Sequence, residues 1–364
     1  MGYCFWLFLA QTFFGALLTT QAETETRLEM YAAEEMKAIQ DFMQFQDAEG
    51  KSNEQKWLAI HPHLKPFSPQ KPWEWHGITW KKEDDFLRVQ NLNWSDADFD
   101  GTLDLRQFSA LEELWIFTDP WEWETILPRK KGNLRVLLPE KSCLKRFICC
   151  GIGISELNLE NQRVLENLQC MENPLKELDL TQTPNLRHLA CENCPIQVKF
   201  APQNQIELLS ISGDSWTFEQ ICALKNLKSI RWKTTKTLPD NFIKHVSKCE
   251  GLSFRKISNS NLDFSQNREL YTLDLEDLPH PETLDLRNST EMSDLSLKNC
   301  PKLRKILLPH VFRPTRENYY DLPCFSFRDI APEVIEFSDG TSISYEEFQK
   351  LQLAASPEEG VGFM

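Results

Sequence analysis

Among the residues that could do chemistry, cysteine is the most conspicuous, with eleven in 364 residues. Cys191-Glu192-Asn193-Cys194 is a C-x-x-C, a spacing that serves redox or zinc chemistry when a helix start or a second pair accompanies it. His61-Pro62-His63, with His76, offers imidazoles for a metal, but the proline makes the triplet a loop and no Cys or carboxylate cluster stands beside it. Glu34-Glu35, Asp84-Asp85 and Glu276-Asp277 are paired carboxylates that read more simply as solvated acidic surface than as a general acid and base. No nucleophile elbow, Walker loop, H-E-x-x-H or dinucleotide glycine fingerprint occurs. The expectation is no catalysis, no cofactor and no metal site.

Charge narrows the partners. Forty basic against 54 acidic residues give a net charge of -14, which opposes non-specific binding to nucleic acid or to an anionic bilayer. At the N-terminus Tyr3 to Leu18 is apolar except for Gln11 and Thr12, and no charge appears before Glu23. That run is short of the roughly 20 residues a spanning helix needs, and Thr20-Gln21-Ala22 supplies small residues for cleavage after Ala22. Residues 1–22 are therefore expected to be a signal peptide, with a secreted or cell-surface product and no stable membrane insertion after cleavage.

What must position any functional side chain is an internal repeat. Leu144-x-x-Phe147-x-Cys149, Leu165-x-x-Leu168-x-Cys170 and Leu186-x-x-Leu189-x-Cys191 are one hexamer at a spacing of 21 residues. Its central apolar residue recurs as Phe147, Leu168, Leu189, Leu209, Ile230, Leu252, Leu273 and Leu295, every step between 20 and 22. A second phase lies about ten residues away, at Ile154-x-x-Leu157-x-Leu159, Leu175-x-x-Leu178-x-Leu180, Leu262, Leu284 and Ile306. Looser matches at Leu92, Leu103, Leu114 and Leu137 carry the pattern toward the N-terminus. L-x-x-L-x-L lays a short strand whose alternate residues point inward, and stacked units share one continuous core. This predicts a leucine-rich repeat solenoid, curved and mostly β. Two second-phase arcs are replaced by helical patterns, Ser215 to Leu224 and Asp240 to Val246; a helix needs more lateral room than a strand, so both belong on the convex side and the first phase lines the concave sheet.

The arcs Leu165 to Asn173 and Leu175 to Thr181 resemble the L-x-x-L-x-C-x-x-N and L-x-x-L-D-L-S units of bacterial exported leucine-rich repeat proteins. Trp75-His76-Gly77-Ile78-Thr79, with Phe99-Asp100-Gly101-Thr102-Leu103, is similar to the N-terminal cap and first turns of that superfamily. The division expected is a signal peptide at 1–22, an N-terminal cap at 23–85, the solenoid at 86–310 and a C-terminal cap and tail at 311–364. A helix over Arg27 to Gln46 should cover the first turn, and a hairpin from Val334 to Tyr345 turning on Asp339-Gly340, then a short helix through Leu351, should close the other end. The unbroken apolar register predicts one cooperative elongated unit.

With Cys4 in the signal peptide, ten cysteines remain, and their register decides between disulfides and packing. Cys149, Cys170 and Cys191 fall at the inward place, where they stack as small hydrophobes, while Cys194 takes the turn-Asn place. The outward row is Ile148, Gln169, Ala190, Ser210, Arg231, Ser253, Asp274 and Ser296, flanked by Lys233, Arg255 and Glu276. On an acidic chain the basic group stands out. The expectation is that Arg231, Lys233 and Arg255 anchor an acidic stretch of a protein partner, belonging to a host or a cell surface, while Asp274 and Glu276 orient it. The competing functions are an enzyme or enzyme accessory with a site on the terminal caps, and an architectural surface protein.

Overall fold

A computed structural model describes residues 25, 27–96, 98–118, 133–259, 262–315 and 322–355. The expected signal peptide and the last nine residues lie outside them. The chain divides into two compact units, Met1–Leu186 with Cys194–Asn204, and Arg187–Asn193 with Gln205–Met364.

In the first unit the repeat forms a sheet of strands Phe86–Ser95, Glu113–Phe117, Arg146–Ile148 and Asn167–Gln169, parallel throughout. Ile78–Glu83 pairs antiparallel with Phe86–Ser95 and so begins the array. Second-phase strands pair in parallel as Gly101–Asp104 with Leu134–Leu137, and Glu177–Leu180 with Gln197–Phe200. Leu92, Leu103 and Leu114 are buried as the spacing predicts, but Leu103 is paired with Val136, which is buried, and Leu137 is only half-buried. The Ile154 to Leu159 arc keeps Ile154 and Leu159 inside without forming a strand, and Leu157 is half-exposed.

The cap helix covers Ala33–Gln44, shorter than the amphipathic pattern implies. Its start is set where Ala32 N–H donates to the Leu87 carbonyl at 3.0 Å and Tyr31 bridges Leu87, which separates it from the helical turn at residues 27–30. Phe42 on this helix stacks on Trp94 at 5.8 Å and meets the edge of Phe99 at 5.2 Å. Glu35 is fully buried; burial pushes its carboxyl up, opposed by Val89 N–H at 2.7 Å and the Arg88 guanidinium at 3.1 Å. A second helix, Asn53–Ile60, opens with a reciprocal capping box between Ser52 and Gln55. Gly77 is required where it stands, since its φ is +72° and an added Cβ would lie 2.0 Å from the Asn93 carbonyl oxygen.

The second unit is the same construction. Strands His188–Ala190, Leu208–Ser212, Ser229–Lys233, Gly251–Arg255, Thr272–Glu276, Asp294–Lys298 and Cys324–Arg328 are parallel and in register. The second phase gives Leu262–Asp263, Thr283–Asp285, Lys305–Leu308 and Val334–Phe337, also parallel, and Ser342–Ser344 pairs antiparallel with the last of these as the expected hairpin. The repeat therefore makes one further turn after residue 310, through Cys324–Arg328 and Val334–Phe337. Phe218–Cys222 and Phe242–His245 are the two inserted helices, the first capped by Thr217. Their presence explains why Trp232 and Phe254 replace aliphatic residues: Phe242 packs against both rings, at 5.7 and 5.8 Å. The final helix, Tyr345–Ala355, buries Phe348 against Phe325 at 5.4 Å.

The eight first-phase residues from Phe147 to Leu295 are all 2% exposed or less, so the periodicity reports the core of both units. Left-handed residues turn the corner after most first-phase strands, at Asp96, Gly151, Glu172, Asn193, Gly213, Lys256, Asp277, Asn299 and Asp329. Two of these side chains, those of Glu172 and Lys256, belong to residue types that favour a left-handed corner less than Gly, Asn or Asp does.

Candidate binding faces

Parallel register fixes the outward rows of the second unit. One runs Ser210, Arg231, Ser253, Asp274, Ser296 and Ser326; beside it runs Ser212, Lys233, Arg255, Glu276, Lys298 and Arg328. All five residues expected to bind a partner, Arg231, Lys233, Arg255, Asp274 and Glu276, thus share three adjacent strands. Their roles divide differently from the expectation. Arg255 lies 3.6 Å from Asp274 and 3.1 Å from Glu276, the latter an ion pair without hydrogen-bond alignment, and Lys298 holds Glu276 at 2.8 Å. Asp274 also accepts from Ser253 Oγ at 2.9 Å. The two carboxylates are engaged by their own neighbours, whereas among the described residues Arg231 and Lys233 have no ion pair. Arg231 is exposed and Lys233 half-buried. Within the predicted outward row, Ala190 and Ser253 are nonetheless buried, at 3% and 8% exposure, Ser253 beneath its hydrogen bond to Asp274.

The first unit dresses the same positions otherwise. Alternation in Glu113–Phe117 buries Leu114 and Ile116 and turns Trp115 and Phe117 outward, and register places Asn93, Trp115, Ile148 and Gln169 in one row. A cavity of about 310 Å3 opens here, lined by Gly77, Ile78, Thr79, Asn91, Leu92, Asn93, Glu113 and Trp115. The indole N–H of Trp115 is shut off from solvent and has no acceptor among the described residues. Glu113 is hydrogen-bonded by Arg146. Beside it Glu112 accepts from Lys81 at 2.8 Å, Lys145 at 2.9 Å and Gln90 at 3.2 Å, and the two lysines hold its carboxyl down to about 2. Strand alternation alone would have exposed Trp115 and Phe117 to sequence reading; the looser repeat spacing around Leu114 hid them.

The thiols divide between packing and corner duty. Cys149, Cys170 and Cys191 are fully buried, and none of the ten described cysteines forms a disulfide. Burial pushes the Cys149 thiol far up and those of Cys150 and Cys249 to about 12, the reverse of what a nucleophile requires. Asn173 shows what the corner needs: its amide donates to the Cys149 and Cys170 carbonyls and its oxygen accepts from Ile154 N–H at 3.0 Å. Cys194, one repeat later, donates Sγ–H to the Cys170 carbonyl at 3.0 Å, and Cys300 in the second unit approaches the Leu275 carbonyl at 3.9 Å. The C-x-x-C is thus one inward residue and one corner residue. His61 is committed to the Ser95 carbonyl at 3.2 Å and to the Trp57 ring. Among the described residues no group of three or more His, Cys, Asp or Glu side chains is placed to hold a metal ion, and no helix is long and apolar enough to cross a membrane.

The geometry defines a leucine-rich repeat β-solenoid. No protein-family model matches the chain, and no curated protein matches it. Among solved structures it is similar to the functional domain of InlJ from Listeria monocytogenes, which includes a cysteine ladder, with 12% identity over 67% of this chain and a TM-score of 0.36. That alignment spans 64% of the InlJ domain's own length, less than two thirds. It is also similar to a leucine-rich repeat protein of Leptospira interrogans, at 14% identity, 64% of this chain, 73% of that one and a TM-score of 0.33. A plant ice-binding protein aligns at 13% identity over 83% of this chain and 98% of its own, with a TM-score of 0.43.

Proposed function

We propose that the chain is an exported recognition protein, secreted or held at a cell surface after loss of residues 1–22, which binds an acidic stretch of a protein partner without catalysis or cofactor. The observation that carries this reading is the pair Arg231 and Lys233, cations without ionic partners among the described residues, at successive outward positions of one strand in a chain of net charge -14. A folded protein gains little from two unpaired neighbouring cations, and their repulsion is relieved when an opposite charge arrives. Arg255, with Asp274 and Glu276, forms the neutralised border of the patch and contributes shape and orientation. Lys298 and Arg328 extend the basic row.

The test is Arg231→Glu with Lys233→Glu, compared with Arg255→Glu and with Arg268→Glu as a control on an exposed position away from the row. Against a partner recovered by affinity capture, the first variant should slow association by at least about tenfold and flatten its salt dependence. Arg255→Glu should cost less, because its guanidinium is already held. An unchanged association rate and salt dependence in the double variant would defeat the reading.

A further inference from the structure

The cavity beside Trp115 belongs to the other unit and has a different chemistry. We propose that it is a binding site for a neutral saccharide, with one pyranose ring seated against the Trp115 indole and its hydroxyl groups met by Thr79, Asn91, Asn93 and Glu113.

Its size is about 310 Å3, the small end of the ~300–1,000 Å3 range of ligand sites, which suits one ring rather than a folded peptide segment. Its wall combines a half-buried aromatic ring with the uncharged polar groups of Thr79, Asn91 and Asn93 and one carboxylate, Glu113, already held by Arg146. Among the described residues no hydrogen bond engages the side chains of Thr79, Asn91 or Asn93. Three polar side chains around one aromatic platform therefore stand ready for a ligand. A pyranose presents that pattern in reverse: a face of C–H bonds bordered by hydroxyls, each both donor and acceptor.

Other ligand classes fit worse. An anion would face the Glu113 carboxylate. A cation would have to compete with Arg146, which already holds Glu113 through Oε1 and leaves Oε2 as an acceptor. A purely apolar ligand would bury the Asn91 and Asn93 amides without partners, each at a cost of about 1–3 kcal/mol. An extended peptide cannot add as a strand, since Phe86–Ser95 is already paired on one side with Ile78–Glu83 and on the other with Glu113–Phe117.

The full-length protein would be titrated with methyl β-glucoside, methyl α-mannoside and N,N′-diacetylchitobiose at millimolar concentration while the tryptophan indole N–H resonances are followed. The Trp115 signal is assigned by its loss in Trp115→Phe. At least one sugar should move that resonance saturably. Asn91→Ala and Asn93→Ala, changes on the sheet surface that leave the core intact, should each weaken binding by roughly three- to tenfold. The Arg231→Glu, Lys233→Glu protein should bind the sugar as the unmodified chain does, which separates this site from the charged row. The proposal is overturned if no sugar moves the Trp115 resonance, if binding is unaltered in both asparagine variants, or if a proline-rich peptide moves it while the sugars do not.

Discussion

The outward row of the first unit reads Asn93, Trp115, Ile148, Gln169, and that of the second reads Ser210, Arg231, Ser253, Asp274, Ser296, Ser326. Both rows ride on strands whose inward neighbours are equally buried and equally apolar. In each unit folding is decided by the residues that point in, because those alone remove apolar area from water. The residues that point out are free to differ, one row neutral and aromatic, the other charged. Size varies along the second inward column within each unit: Trp94 and Ile116 share it with Cys149 and Cys170 in the first, and Ile211 precedes the bulky Trp232 and Phe254 in the second, where the Phe242 helix occupies the arc between strands.

The comparison breaks if outward residues matter as much to stability as inward ones. Phe147→Ala in the first unit and Phe254→Ala in the second should each destabilise by about 3–5 kcal/mol in urea unfolding. Gln169→Ala and Ser296→Ala should stay within about 0.5 kcal/mol of the unmodified chain. Similar losses at the outward pair would end the distinction.

A smaller effect sharpens the distinction between inward and outward residues at the buried thiols. Cys170→Ser puts a hydroxyl where a thiol packs as a hydrophobe and should cost about 1–3 kcal/mol. Native thiol alkylation at neutral pH checks the same point: Cys143 and Cys324, both exposed, should label, while Cys149, Cys170 and Cys191 should label only after unfolding. Rapid native labelling at any of those three would contradict the packing.

The smallest effect concerns the corners. Lys256 has a φ of 64° and Gly151 one of 70°, with a Cβ on Gly151 landing 2.4 Å from Thr118 Oγ1. Lys256→Gly should therefore stabilise by about 0.5 kcal/mol, relief of the left-handed strain being partly offset by lost chain entropy. Gly151→Ala should destabilise by about 1 kcal/mol or more. Thermal unfolding of the two variants reads the opposite signs directly.

The inward periodicity was legible because burial imposes it on every turn; Phe147 and Leu295 obey one rule 148 residues apart. The five charged residues were legible as neighbours because a step of 21 or 22 carries each to the next strand. Their pairing was not, since Arg255 chooses Asp274 and Glu276 by side-chain rotamer, which spacing does not encode. Cys300 as a corner donor escaped for another reason: its thiol does weakly what an asparagine amide does well, so residue type misdirects. Lys256 and Glu172 hid the left-handed corners in the same way.

Among the described residues, Cys324–Arg328 pairs with Asp294–Lys298 on one side only. A parallel strand so placed presents a row of free backbone donors and acceptors, a template on which another chain could polymerise. Arg328 and Cys324 are exposed on that strand, and Phe325 is drawn back under Phe348 of the final helix. Charge at one end and recessed aromatic surface in the middle make the strand a poor seed for fibre growth. The terminal turn is thereby a guard against self-association as well as the last layer of the core.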